Sequence, residues 1–449
     1  MTSIDVTGNR ETSRRIRDDN SIMLIARQNA TAASRDGHHP VVILEPVPSE
    51  SRNGTTSSRY RSPMRTLMGA AAALAALVAT AALPAYARAA PQPVTLGSAA
   101  HLARADPPSL SRGRPGHRRE PGAPPLPAAG NPAGRAPVPA AARVADTSRA
   151  ARVVGHGTAA SCTSRAVVAA VAAGGVIRFS CGPRPVVIRM KATAKVRNTS
   201  RRVVLDGGGK VTLSGAGVRR ILYMDTCDPR QEWTTSHCQD QATPQLTVQN
   251  LTFADGNSAH QLFDGGGGGA IFARGGRLKV VNSRFLGNRC DATGPDLGGA
   301  AIRALSEYRG LPVYVVHSTF RGGACSNGGA VSSIGVSWIV LNSVMARNSA
   351  VGWGANPARQ ATPGGGSGGA VYTDGNQYSV QISGTVISGN HARAGGGAVF
   401  FVSNDRSGTL RIAHSELRHN PSAGFFTAGY PGIFFLGRGH PVIIDSSLS

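Results

Sequence analysis

The chain has 449 residues and a net charge of +24, with 57 glycines and only 5% aromatic residues. A long chain so rich in glycine and so poor in aromatics does not fit an ordinary packed globule, but it suits a fold made of many tight turns. The basic balance points to anionic partners, and the absence of any CxxC pair argues against a zinc or thioredoxin-type site.

Met64 opens the stretch "MRTLMGAAAALAALVATAALPAYARAAPQ". Arg65 supplies a positive start, Leu67 to Leu83 an apolar run, and small residues allow cleavage after Ala87 or Ala89. This predicts a signal peptide over residues 64–89, hence a secreted or cell-surface protein with no stable membrane span after cleavage. Residues 1–63 then read either as an extension ahead of a start at Met64 or as a cytoplasmic tail. Residues 90–150 are rich in Pro, Ala and Arg without apolar periodicity, which predicts a disordered linker.

A folded domain is expected over residues 151–449. "SCTSRAVVAAVAAGG" predicts one short helix, with Thr163 or Ser164 as N-cap and Gly174-Gly175 as the stop. Strand patterns follow, and then a sentence that returns. Let n be a turn residue: Asn250, Asn282, His317, Asn342, Gly384, His414 and Asp445, spaced 25 to 42 residues apart. Position n−2 is Val248, Val280, Val315, Val340, Ile382, Ile412 and Ile443, and n+3 is Phe253, Phe285, Phe320, Met345, Ile387, Leu417 and Leu448. Apolar residues at n−4 and n−2 mark a strand with one buried face, and the n−3 residues predict a wet stripe on the other. A unit that cannot bury its own face must stack on its copies, so the expectation is an all-β parallel β-helix, a solenoid with a short N-terminal capping helix.

The signals "GGA[IV]" (Gly268–Ile271, Gly328–Val331, Gly368–Val371, Gly396–Val399, with "GGAAI" at Gly298) and "FxxN" (Phe285–Asn288) resemble the polymorphic outer membrane protein repeat. That repeat belongs within the pectin-lyase-like superfamily, so the resemblance, which covers about residues 160–449, implies a right-handed β-helix. It specifies fold better than function. The superfamily's recognisable catalytic signatures, the polygalacturonase-like series and the pectate-lyase-like "RxPxxR", are absent from the sequence.

The six cysteines, Cys162, Cys181, Cys227, Cys238, Cys290 and Cys325, read as disulfides behind an export signal. Fifteen connectivities are open. The expectation is nearest neighbours, with Cys290 and Cys325 in loops of adjacent repeats.

Chemistry is expected in the loops. Asp264, Asp291 and Asp296, with His260 and Arg289 nearby in sequence, form the catalytic candidates. Carboxylates can hold Ca²⁺ or serve glycoside hydrolysis, and a lyase would use Arg289 as base. Asp in glycine-rich loops is equally ordinary turn chemistry. Trp353 and Arg359 in the long loop, and Arg178, Arg189, Lys191 and Lys195 in a stretch from Arg152 to Arg202 that lacks acids, are the binding candidates. The expected partner is a polysaccharide or another anionic surface polymer. Nucleic acid is not expected, because no reading helix or RNP motif is present. Adhesin-like binding is the first expectation, and a polysaccharide lyase or hydrolase the second.

Overall fold

The computed structural model describes residues 128–261, 266–355 and 358–449. The expected leader, the extension before it, the linker up to residue 127 and Asp264 lie outside the described residues.

The domain begins with a three-residue strand, Arg152–Val154, and one helix, α1 (Ser164–Ala173). Thr163 caps the helix by accepting the Ala166 N–H at 3.2 Å, and Gly174 ends it at φ 68°. The helix buries Val167, Ala170 and Val171 against the first strands. After it, among the described residues, come strands and turns, with three single-turn 3-10 helices at Pro229–Gln231, Cys238–Asp240 and Tyr308–Gly310.

The strands are short and pair in parallel with their counterparts one repeat later. The first ladder joins Gln245–Ala254, Arg277–Val281, Val313–Val316, Trp338–Leu341, Ser379–Ser383, Thr409–Ala413 and Val442–Ile444. Its register places Val248, Val280, Val315, Val340, Ile382, Ile412 and Ile443 in one row, the n−2 series. The n+3 series is a second row, in which Phe253, Phe285 and Phe320 stack at 5.1 and 4.6 Å between centroids. A third ladder follows each GGA turn, from Leu222–Asp225 through Ile271–Arg274, Ile302–Ala304, Val331–Ile334, Val371–Asp374 and Val399–Val402 to Ile433–Leu436. The architecture is therefore all-β with parallel sheets, compatible with a parallel β-helix.

The turn residues show why these sequences repeat. All seven n residues have positive φ, from 41° at Asp445 to 60° at Gly384. Asn, Asp and Gly tolerate that region at low cost. The next residue carries a hydroxyl in six of the seven repeats, and it forms a relay that the sequence reading missed. Ser283, Ser318, Ser343, Thr385 and Ser415 each donate to the carbonyl two residues back, at 2.8 to 3.1 Å. Each hydroxyl also accepts the N–H of the n+1 residue one repeat earlier; Ser283 receives that of Leu251, Ser318 that of Ser283, and so on to Ser415 and Thr385. The relay satisfies N–H groups that the tight turn removes from the ladder, which matters because these positions are buried.

Residues 128–150 correct the expectation of a disordered linker there. They form a strap that lies across the n−1 and n−3 rows and is held residue by residue. Asn342 accepts the Ala136 N–H at 2.8 Å and donates back to the Ala136 carbonyl at 2.9 Å. Gln249 treats Ala145 the same way, at 2.8 and 3.0 Å. Lys279 Nζ donates to the carbonyls of Ala141 and Arg143, and Thr147 donates to Asp206 at 2.8 Å. Gly130 enters at φ 81° so close to His317 that a Cβ would sit 2.6 Å from its backbone, so the crossing needs glycine. Beneath the strap lie Val281, Val316 and Leu341, with Tyr314 and Ile339 at its edge. The n−3 stripe is thus largely covered by the chain itself and is not the free surface expected. The physical reason was present in the sequence: Val281, Val316 and Leu341 at n−1, beside Tyr314 and Ile339 at n−3, are too apolar for a wet face.

The disulfides pair as expected: Cys162 with Cys181, Cys227 with Cys238, and Cys290 with Cys325, at Cα separations of 5.6, 5.0 and 4.7 Å. The last ties two adjacent repeats. Among the described residues no helix is long and apolar enough to cross a membrane.

Candidate functional site

A cleft of about 490 Å³ lies on the n+3 side of the ladders. Arg189, Ser214, Asp255, Asn257, Gly287 and Arg289 line it. Two of these, Arg189 and Arg289, were singled out in the sequence for different reasons and lie far apart in it.

Arg189 ends the strand Val186–Arg189, where it pairs in register with Ser214, which in turn pairs with Ala254. Arg289 follows Asn288, and Asn288 is the anchor: buried, it accepts the Gly256 N–H at 2.9 Å and donates to the Phe253 carbonyl at 3.1 Å. The Arg289 backbone then bridges Asn257 on one side and Ala324 on the other. The FxxN signal therefore fixes the residue after it. Asp255 sits at φ 50°, and a Cβ on Gly287 would come within 3.0 Å of its Oδ1, so the glycine leaves room for that carboxylate. Asn257 is turned inward, donating to the Gly217 carbonyl at 2.8 Å. Both guanidinium groups are exposed, and neither makes an ion pair within the described residues.

The outward row beginning at Arg189 continues rung by rung through Ser214, Ala254 and Leu286 to Arg321, then Ala346, Ser388 and Arg418. At about 4.8 Å per rung, Arg189 and Arg321 stand roughly 19 Å apart along the axis. Arg418 is occupied by Glu416 at 2.6 Å, whereas Arg321 makes no ion pair within the described residues.

The other sequence candidates disperse. Asp291 accepts the His260 backbone N–H at 2.8 Å, so that pair is a turn contact and not an acid–base pair. Asp296 exerts its charge on Arg303 and Asp374, under the third ladder. Trp353 is 46% exposed on a small hairpin, paired with Gly364, and Arg359 is exposed beside it. Lys195 lies over the Tyr223 ring at 5.2 Å, Arg178 pairs in register with Asp206, and Lys191 lends its carbonyl to Arg219. Among the described residues no group of three His, Cys, Asp or Glu side chains is placed to hold a metal ion. Asp255 was visible in the sequence as a loop acid beside His260 and Asp264, whereas Asn257 was missed as a cleft residue. The signal for it was the stacking register itself, which sets Asn257 one rung from Arg289.

Several acids are strongly perturbed away from the cleft. Burial raises Glu307 well above its ordinary 4.5, and the Arg277 guanidinium 3.5 Å away offsets this only in part. Burial also raises Asp225 and Asp374. For Asp228 burial acts upward too, but hydrogen bonds from Arg230 and Gln231 outweigh it and hold the group at about 2. An acid with a raised folded value stabilises the fold most below its unfolded value, and that contribution is lost as pH climbs through the raised one. Stability carried by Asp228 has the opposite sign and is lost only as pH falls from 3.8 towards about 2. The thermal midpoint should therefore fall as pH rises from the range of free carboxylates towards neutrality. Glu307→Gln, which keeps an acceptor for the Leu278 N–H, should flatten that slope in a melting series. An unchanged slope would show that Glu307 is ionised in the folded chain.

Compared with protein-family models, with curated proteins and with solved structures, the chain matches none.

Proposed function

We propose that this chain is a secreted or surface-exposed right-handed parallel β-helix of the pectin-lyase-like kind its repeats resemble. It binds an acidic polysaccharide, or another anionic cell-surface polymer, along the face that carries Arg189, Arg289 and Arg321. The observation that carries the reading is the meeting of Arg189 and Arg289, 100 residues apart in sequence, in one cleft where both remain unpaired. Arginine forks suit carboxylate groups, and unpaired charge spaced along the rungs suits an extended polymer whose charges recur along its length. Three disulfides fit an oxidising compartment.

Binding is favoured over glycoside hydrolysis because the lining of the cleft carries a single carboxylate, Asp255, whereas that reaction uses two. The test offers the full chain a linear polyuronate and neutral dextran, and reads retention, new reducing ends and the ultraviolet absorbance of unsaturated uronates. The expected result is salt-sensitive retention on the polyuronate alone, without product. Product release would make the protein an enzyme and send attention to Asp255 and Arg289. Equal retention on dextran would remove the charge-based reading.

A further inference from the structure

A second cleft, at the helix end of the domain, is distinct from the first. It also measures about 490 Å³, and its charged lining is Arg152, Arg197, Arg201, Arg202 and Glu232, a net of three positive charges. The backbone at the end of α1, Ala172–Gly175, closes one side.

The charges there divide into two kinds. Arg197 is neutralised by Glu232 at 2.6 Å, and Thr199 donates to the same carboxylate at 2.9 Å, so the acid is fully engaged. Arg152 donates to the Gly174 carbonyl at 2.6 Å, where it answers the negative end of the helix that lines the cleft. Arg201 and Arg202 are exposed, adjacent, and have no ion pair or side-chain hydrogen bond within the described residues. Arg202 also sits in a crowd of like charge. Burial lowers the Lys279 ammonium, and the charges of Arg202 and Arg277 lower it further. Asp146 gives Arg202 part of a counter-charge, yet like charges gathered this closely still repel one another, and the repulsion is relieved further when an anion arrives.

We propose that this cleft is a binding site for a compact oligovalent phosphate, held by the paired forks of Arg201 and Arg202 with Arg152 at its back. A phosphate group fits better than a uronate polymer here. The cleft lies at the helix end and not in a row along the rungs, and a surplus of three positive charges in its lining suits a group that carries more than the single charge of a carboxylate. The site does not depend on the polysaccharide reading, since it shares no residue with the first cleft.

The experiment titrates the full chain with inorganic pyrophosphate by calorimetry at fixed ionic strength. The expected result is a saturable one-site isotherm, weakened at least tenfold in Arg201→Gln/Arg202→Gln and unchanged in Arg189→Ala/Arg289→Ala. Both positions of the first variant are exposed, so its melting curve should match the parent and its polyuronate retention should persist. An isotherm that never saturates, or one of equal affinity in the Arg201→Gln/Arg202→Gln chain, would overturn the proposal.

Discussion

Phe285→Ala should lower the stability of the folded chain by about 3–5 kcal/mol, and Phe285→Asp should leave no soluble folded protein. Phe285 is 1% exposed and stands in the middle of a stack, between Phe253 and Phe320. Truncation would open a cavity that two rings and the ladders around them must line. In a stacked fold each repeat is stabilised mainly by its two neighbours, so a gap in one rung weakens both interfaces. A buried carboxylate there would have no partner at all. Chemical denaturation of Phe285→Ala and the soluble yield of Phe285→Asp are the measurements. A normally folded Phe285→Asp chain would contradict the register on which every placement above depends.

Asn390→Ala should cost about 3–5 kcal/mol, although the residue contributes no apolar area. Asn390 is fully buried in a column with Asn348 and Asn420. Its Oδ1 accepts both the backbone N–H and the Nδ2 of Asn348, each at 2.9 Å. Its Nδ2 donates to the Met345 carbonyl and to Asn420 Oδ1, also at 2.9 Å. Alanine would strand a buried backbone donor and a buried carbonyl, and would take one partner from each of the side-chain amides of Asn348 and Asn420, which keep the Phe320 carbonyl and the residue 390 N–H. Each unsatisfied buried group costs about 1–3 kcal/mol, and relaxation recovers part of the total. Asn390→Asp keeps the acceptor but not the donor and should fall between the two in a denaturation series. A loss below about 1 kcal/mol for Asn390→Ala would mean that water replaces the column.

These two residues also show how far the sequence could be read. Phe285 was legible because its period was: apolar residues at n−2 and n+3 recur in every repeat, and burying them requires stacking whatever the detail of the coil. The disulfides were legible for the same reason, since Cys290 and Cys325 fall at like places in adjacent repeats. The asparagine column was visible as a motif, yet its geometry was not. Asparagine at n faces the turn, and only some members reach a stacked neighbour, as Asn282 reaches Asn250 at 3.2 Å. Asn288 and its equivalents, six residues further on, form the buried column.

The strap and the cleft were less legible because both depend on long-range placement. Nothing local in "NPAGRAPVPAAARVADTS" announces order; its order comes from Asn342 and Gln249, which pair with its backbone from 206 and 104 residues away. The surroundings of the loop acids were not legible, because a loop's exit from the ladder does not fix where its tip turns. Asp291 turned to a backbone N–H and Asp296 towards Arg303. Arg289 was placed by what precedes it, a buried asparagine, and so its position was the one site feature that the repeat itself determined.

The most direct test of the account is an equilibrium binding isotherm of the full chain on a linear polyuronate, compared with that of Arg189→Ala/Arg289→Ala. Both side chains are exposed, so the variant should melt as the parent does. The account predicts that its affinity falls by about tenfold or more, with a shallower dependence on salt. An isotherm identical to the parent's, at every salt concentration, would contradict it.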